Sequence, residues 1–115
     1  MIDFACKKFS LEEVIRCGLG LSKAEFSLFS YFIKNEKTKF STEKLGRAIR
    51  LDVSTVQRGV KKLYALGVLS RMQTNLAGGG YQFEYTIKPK REVKALVMGI
   101  VHRWASRVED EFEHW

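Results

Sequence analysis

The stretch DVSTVQRGVKKLYALG, from Asp52 to Gly67, gathers side chains suited to recognising a polyanion. Ser54, Thr55 and Gln57 offer hydroxyls and an amide. Arg58, Lys61 and Lys62 offer positive charge, and no acid follows Asp52. Such groups hydrogen-bond base edges and phosphates in a major groove. Spacing sorts them. Val56, Val60 and Leu63 fall at i, i+4 and i+7, the apolar stripe of an amphipathic helix. At about 100° per residue, Ser54, Arg58, Lys61 and Ala65 point the opposite way, flanked by Thr55, Gln57 and Lys62. Taken alone, the stretch reads equally as an ordinary solvated helix. Lys44, Arg47 and Arg71 tip the balance. Residues 41–73 carry seven bases against two acids, +5 of the chain's +7, whereas residues 89–115 carry five of each. A localised basic patch is the electrostatic footprint of a polyanion partner.

Catalytic chemistry is not encoded in the same way. His102 and His114 are twelve residues apart, so they sit about 120° from each other around one helix and share no face. No Cys or carboxylate accompanies either at metal-motif spacing, and no nucleophile, base and orienter form a set. The glycines of NLAGGG lack the Lys-Ser/Thr and helix start of a phosphate-binding loop. The expectation is therefore a non-enzyme without metal or cofactor.

The 115 residues and 45% hydrophobic content fit one domain with a modest core. No apolar run reaches the roughly 18 residues of a membrane span, and MIDFACKKFS lacks the apolar block of a secretory signal. Cys6 and Cys17 do not make a disulfide framework. A reducing cytoplasm with both thiols buried is expected, although Cys6 beside Lys7 and Lys8 is also a weak candidate for redox sensing.

Around the basic stretch the chain reads as helices with clear punctuation. Ser10 with Glu13 and Ser22 with Glu25 form capping boxes, each with a hydrophobic staple (Phe9 and Val14, Leu21 and Phe26). The first helix is expected to stop at Gly18. The second presents Phe26, Leu28, Phe29, Phe32 and Ile33 as the central core helix. A third begins near Ser41 and buries Leu45, Ala48 and Ile49. Only residues 50–52 separate it from the basic helix, whose cap is Asp52, leaving Ser54 to point outward. Two short helices joined by a tight turn are the helix-turn-helix arrangement. VLSRMQT and YQFEYTIK, the second in strict period 2, then form a hairpin across NLAGGG, the wing of a winged helix. Pro89 opens a last helix. Its apolar residues Val93, Val97, Ile100, Trp104, Val108, Phe112 and Trp115 suit a homodimer contact; the alternative is packing back on Phe4, Phe9 and the core. The 11-residue spacing of Val93, Trp104 and Trp115 favours a straight or slightly right-handed pairing. The helix would measure roughly 35–40 Å.

LGLSKAEFSLFSYF (residues 19–32) and LGRAIRLDVSTVQRGVKKLYALGVLSR (residues 45–71) resemble the winged helix-turn-helix domain of the TrmB-like regulators, transcription factors found mainly in archaea and close to the MarR-like regulators. The pattern L-A-x-x-L-G-V-S-x-S-T-V-x-R-A-L-x-x-L-x-x-x-G-L-V aligns without gaps over residues 45–69. Leu45, Ile49, Leu51, Ser54, Thr55, Val56, Arg58, Leu63 and Gly67 match in identity or kind. The resemblance implies sequence-specific DNA binding as a dimer, with Ser54, Thr55, Gln57 and Arg58 toward the groove. Arg50 and Gly59 depart from it, standing where the family has glycine and alanine, and the wing tip has no Lys or Arg. No sugar response carries over, and a small-molecule effector stays unassigned.

The expected architecture is mainly α with a small β-hairpin: a winged helix-turn-helix over residues 1–88 and a dimerisation helix over 89–115. The expected function is a homodimeric regulator binding double-stranded DNA, with residues 52–66 in the major groove. Arg58 would contact a base; Lys44, Arg47, Lys61 and Lys62 would contact phosphates, and Arg71 would help from the wing. The alternative, of another class, is a winged helix serving as a protein-interaction module of a transcription or replication complex.

Overall fold

The computed structural model describes residues 2–4 and 7–115. The elements run β1 (Ile2–Phe4), β2 (Lys7–Phe9), α1 (Leu11–Leu19), α2 (Lys23–Lys34), α3 (Thr42–Ile49), α4 (Val53–Leu66), β3 (Leu69–Asn75), β4 (Tyr81–Ile87) and α5 (Lys90–Glu113).

Serines set the starts of the first three helices. Ser10, Ser22 and Ser41 hold extended backbone, and each hydroxyl accepts from the N–H three residues on, at 3.1, 3.2 and 3.2 Å. This satisfies one of the donors that a helix start leaves without an intrahelical partner. At Ser22 the box is complete, because Glu25 accepts from the Ser22 N–H at 2.7 Å. α1 continues past Gly18 and is capped by Gly20, whose N–H reaches the carbonyls of Arg16 and Cys17.

Helices α2, α3 and α4 enclose the core, with Leu28, Phe32, Leu45, Val56, Val60 and Leu63 at 1% exposure or less. The inward faces are narrower than the sequence suggests. Ile33 lies about 100° around α2 from Phe32 and is exposed. In α3 the buried small residue is Gly46, not Ala48, because Leu45, Gly46 and Ile49 share one arc. A Cβ on Gly46 would stand 3.0 Å from the Leu51 carbonyl, so the helix-turn-helix corner closes against that position. Cys17 is exposed on α1 rather than buried; Cys6 lies outside the described residues.

The wing is an antiparallel hairpin with Leu69 opposite Ile87 and Asn75 opposite Tyr81. Phe40 adds a third rung, exchanging two 2.8 Å backbone hydrogen bonds with Tyr85. Its ring sits 5.8 Å from that of Phe32, tying the wing's base to the core. At the tip, Gly79 (φ 96°) and Gly80 (φ 79°) occupy left-handed backbone, which the turn requires and glycine adopts without strain. Tyr81 is exposed despite its place in the alternation, because the wing projects beyond the core there.

Pro89 stands at the cap of α5, one position before its first turn. The proximal half of α5 completes the core. Val93 and Val97 are buried, Leu96 and Ile100 pack against the cluster, and Ile100 approaches Gly18 of α1. Its distal half extends outward, and the molecule measures 63 × 24 × 23 Å. β1 and β2 form a second antiparallel hairpin, pairing Asp3 with Lys8, which the sequence reading did not anticipate.

Candidate nucleic-acid interface

Recognition chemistry collects on the outer surface of α4. Gln57, Arg58 and Lys61 are all exposed, while Val56, Gly59, Val60 and Leu63 face the core. At Gly59, α4 packs directly against Leu28 of α2. A Cβ there would stand 2.2 Å from Leu28 Cδ1, inside any tolerable contact. The glycine that departs from alanine leaves room for the Leu28 side chain, which a Cβ would have to displace.

At the front of α4, Asp52 caps by backbone geometry, without a side-chain bond to the helix N–H groups. Its carboxylate instead accepts from two hydroxyls, Ser54 Oγ onto Oδ2 and Thr55 Oγ1 onto Oδ1, the latter at 2.5 Å. These hydroxyls, that of Ser54 first, hold the Asp52 carboxyl at about 2, below its ordinary value of 3.8. An ionised carboxylate can only accept, so each hydroxyl spends its one proton on it. Ser54 is thus exposed, as expected, but its hydroxyl is tethered rather than free.

Lys62 departs furthest from expectation. Its Nζ donates to Glu25 Oε1 at 2.8 Å and to the Gly20 carbonyl, clamping α4 to the start of α2. Lys62 and then the Ser22 N–H hold the Glu25 carboxyl below its ordinary value. The ammonium is therefore engaged where α4 meets the start of α2, with the side chain still 38% exposed. No sequence signal marks Glu25 as its partner, since the two are 37 residues apart.

The remaining cations flank α4. Lys44 and Arg47 are exposed on α3, Lys44 with its Nζ 5.9 Å above the Phe40 ring. On the wing, the Arg71 guanidinium lies between two rings, 4.5 Å from Tyr64 and 4.3 Å from Phe83. Stacking immobilises an otherwise flexible side chain at low cost, because the planar guanidinium keeps its N–H groups at the edge. A cleft of about 390 Å³ opens between α3, α4 and the wing. Gln57, Lys61, Arg71 and Gln82 line it with the Ser41 and Thr42 start of α3, and Glu43 is its one acid. The structure thus brings Gln57, Lys61 and Arg71 to one cleft, sets Lys44 and Arg47 on the neighbouring helix, and pairs Lys62 with Glu25. The sequence reading did not anticipate the aromatic partners of Arg71: Phe83 comes beside it only when β3 pairs with β4, and Tyr64 only when α4 packs against the wing.

Arg50, which links the two helices, keeps the left-handed conformation that glycine favours, at φ 56° and ψ 45°. The turn is unaltered by the side chain and carries its strain.

Three helices, a tight left-handed turn and a two-stranded wing with its short third rung define a winged helix-turn-helix protein. By family the chain belongs to the DnaD N-terminal domain, whose model matches residues 9–108. The likeness of residues 19–32 and 45–71 to the TrmB-like pattern is finer than this match and stays a resemblance. A protein of Methanosarcina mazei Go1, described as a possible transcriptional regulator, is 43% identical. It superimposes with a TM-score of 0.93 over all of this chain and 96% of its own. The uncharacterized protein MJ1503 of Methanocaldococcus jannaschii is 26% identical over 109 residues, 95% of this chain and 81% of its own length. The crystal structure of MarR shares the fold, with a TM-score of 0.53 at 16% identity, covering 88% of this chain and 74% of MarR. Among the described residues, no helix is long and apolar enough to cross a membrane and no cluster of His, Cys, Asp and Glu could hold a metal.

Proposed function

We propose that this protein is a transcriptional regulator that binds double-stranded DNA as a homodimer, with α4 in the major groove. The observation that carries the reading is the outer surface of α4. It presents Gln57, Arg58 and Lys61 together, contains no acid, and is bracketed by Lys44, Arg47 and the stacked Arg71. Likeness to the Methanosarcina mazei protein and to the TrmB-like pattern supports the same class. Residues 1–88 carry recognition, and residues 89–115 pair the subunits.

Each side chain then has a distinct part. Arg58 reaches a base edge, its paired N–H groups matching the O6 and N7 of guanine. Ser54 and Thr55, their protons held by Asp52, present only acceptors. They suit the exocyclic amino group of adenine or cytosine and repel phosphate. Lys44, Arg47, Lys61 and Arg71 meet phosphates and set register.

Fluorescence-anisotropy titration of duplex DNA across a salt series tests the reading. A steep fall of log K with log salt is expected, because each phosphate contact releases condensed cations. No binding at low salt would instead favour a winged helix used as a protein-interaction module.

A further inference from the structure

Among the described residues, two that are not glycine hold left-handed backbone, Lys37 (φ 68°) and Arg50 (φ 56°). A side chain there crowds the following carbonyl, a cost that glycine escapes. At residue 50 the fold leaves no other choice. The N–H groups of Arg50 and Leu51 both donate to the Gly46 carbonyl, the latter at 3.1 Å. A Cβ on Gly46 would already stand 3.0 Å from the Leu51 carbonyl. The corner between α3 and α4 is closed from both sides, so whatever residue stands at 50 must take the left-handed turn.

Nothing among the described residues offsets that strain. Arg50 is exposed, and its guanidinium makes no hydrogen bond, ion pair or ring contact with them. Asp52 is the nearest acid in the sequence, but its two carboxylate oxygens accept from Ser54 and Thr55. A strained residue that its own fold does not employ is a candidate for function. Its neighbours indicate which. Lys44, Arg47 and Arg50 follow at steps of three residues, all exposed, and lead to the front of α4. A guanidinium presents its N–H donors as a planar fork that matches two oxygens of one phosphate. Lys37 shares the backbone conformation and the charge but stands in the turn after α2, outside that row.

We propose that Arg50 is a further phosphate-contacting residue, holding the DNA backbone where it passes the front of α4. The assignment rests on the DNA-binding reading above and adds one contact per protomer to those of Lys44, Arg47, Lys61 and Arg71.

Arg50→Gly tests it, with Lys37→Gly as the matched control. Each variant loses one positive charge at a left-handed residue. In anisotropy titrations of duplex DNA across a salt series, Arg50→Gly is expected to make the slope of log K against log salt shallower by about 0.9 per protomer bound, the share of one phosphate. Its urea midpoint should rise at the same time, so the lost contact is not a loss of folding. Lys37→Gly should leave the slope unchanged. An Arg50→Gly slope equal to that of the unmodified chain overturns the proposal and leaves the DNA-binding reading standing. An equal change in both variants also overturns it, because net charge would then explain the effect without a contact. A urea midpoint of Arg50→Gly that fails to rise removes the strain and overturns it as well. If the unmodified chain binds no duplex at low salt, the regulator reading fails and this assignment falls with it.

Discussion

At the scale of single residues, the proposed function divides the outer face of α4 between reading and holding. Arg58 is exposed, and nothing in α4 competes for its charge. Arg58→Ala is expected to cost about 1–3 kcal/mol of binding and to relax preference at one base position, measured by selection from a randomised duplex library. An unchanged selected site in that variant rules Arg58 out as a reader. Lys62→Ala should leave the salt slope unchanged, because its ammonium is engaged with Glu25 and Gly20. In the sequence Lys62 reads as a free cation flanking the outer face; its partner lies 37 residues away on another helix. Arg50 offers a converse test. Arg50→Gly relieves a left-handed residue and should raise stability by up to about 1 kcal/mol in a urea titration, with the turn preserved.

At the scale of elements, the contact between α2 and α4 sets the recognition helix in place. Gly59→Ala would gain helix propensity worth about 1 kcal/mol yet drive a Cβ into Leu28, which is fully buried. Overpacking should win, with a net loss of about 1–2 kcal/mol in chemical denaturation; a stabilised variant would show that α4 can move outward. The same contact carries a pH signature. Glu25 titrates below its ordinary value in the folded chain, so its stabilising effect is full above about pH 4.5 and fades as pH falls through the folded value. Glu25→Gln is therefore expected to flatten the acid limb of a stability profile, whereas identical limbs would exclude the pair as its cause. Much of this level was legible from sequence, because caps and turns are local. Ser10, Ser22, Ser41 and Asp52 marked four helix starts, and the alternation of Tyr85 and Ile87 marked the wing. Ile33 and Ala48 misled because periodicity fixes angles around a helix but not which neighbours arrive to cover them. The rung between Phe40 and Tyr85 joins residues 45 apart in the chain, and no local pattern announces it.

At the scale of the whole molecule, the proposed function gives α5 the task of joining two copies of the surface around α4. Its inner face is consumed by the core, so the sequence stripe from Val93 to Trp115 divides between buried residues near its start and exposed ones toward its end. If Lys44, Arg47, Lys61 and Arg71 each neutralise one phosphate, a dimer makes eight such contacts. The slope of log K against log salt is then about −7 for the dimer and roughly half that for a single protomer. Val108→Asp separates the two without touching α4, since Val108 lies on the distal, outward half of α5. Anisotropy with this variant should show the slope halved and base preference retained within one half-site. A slope that stays near the dimer value in a chain sedimenting as a monomer would mean that one protomer supplies all the phosphate contacts. Pairing through α5 would then serve something other than holding two recognition helices on one duplex.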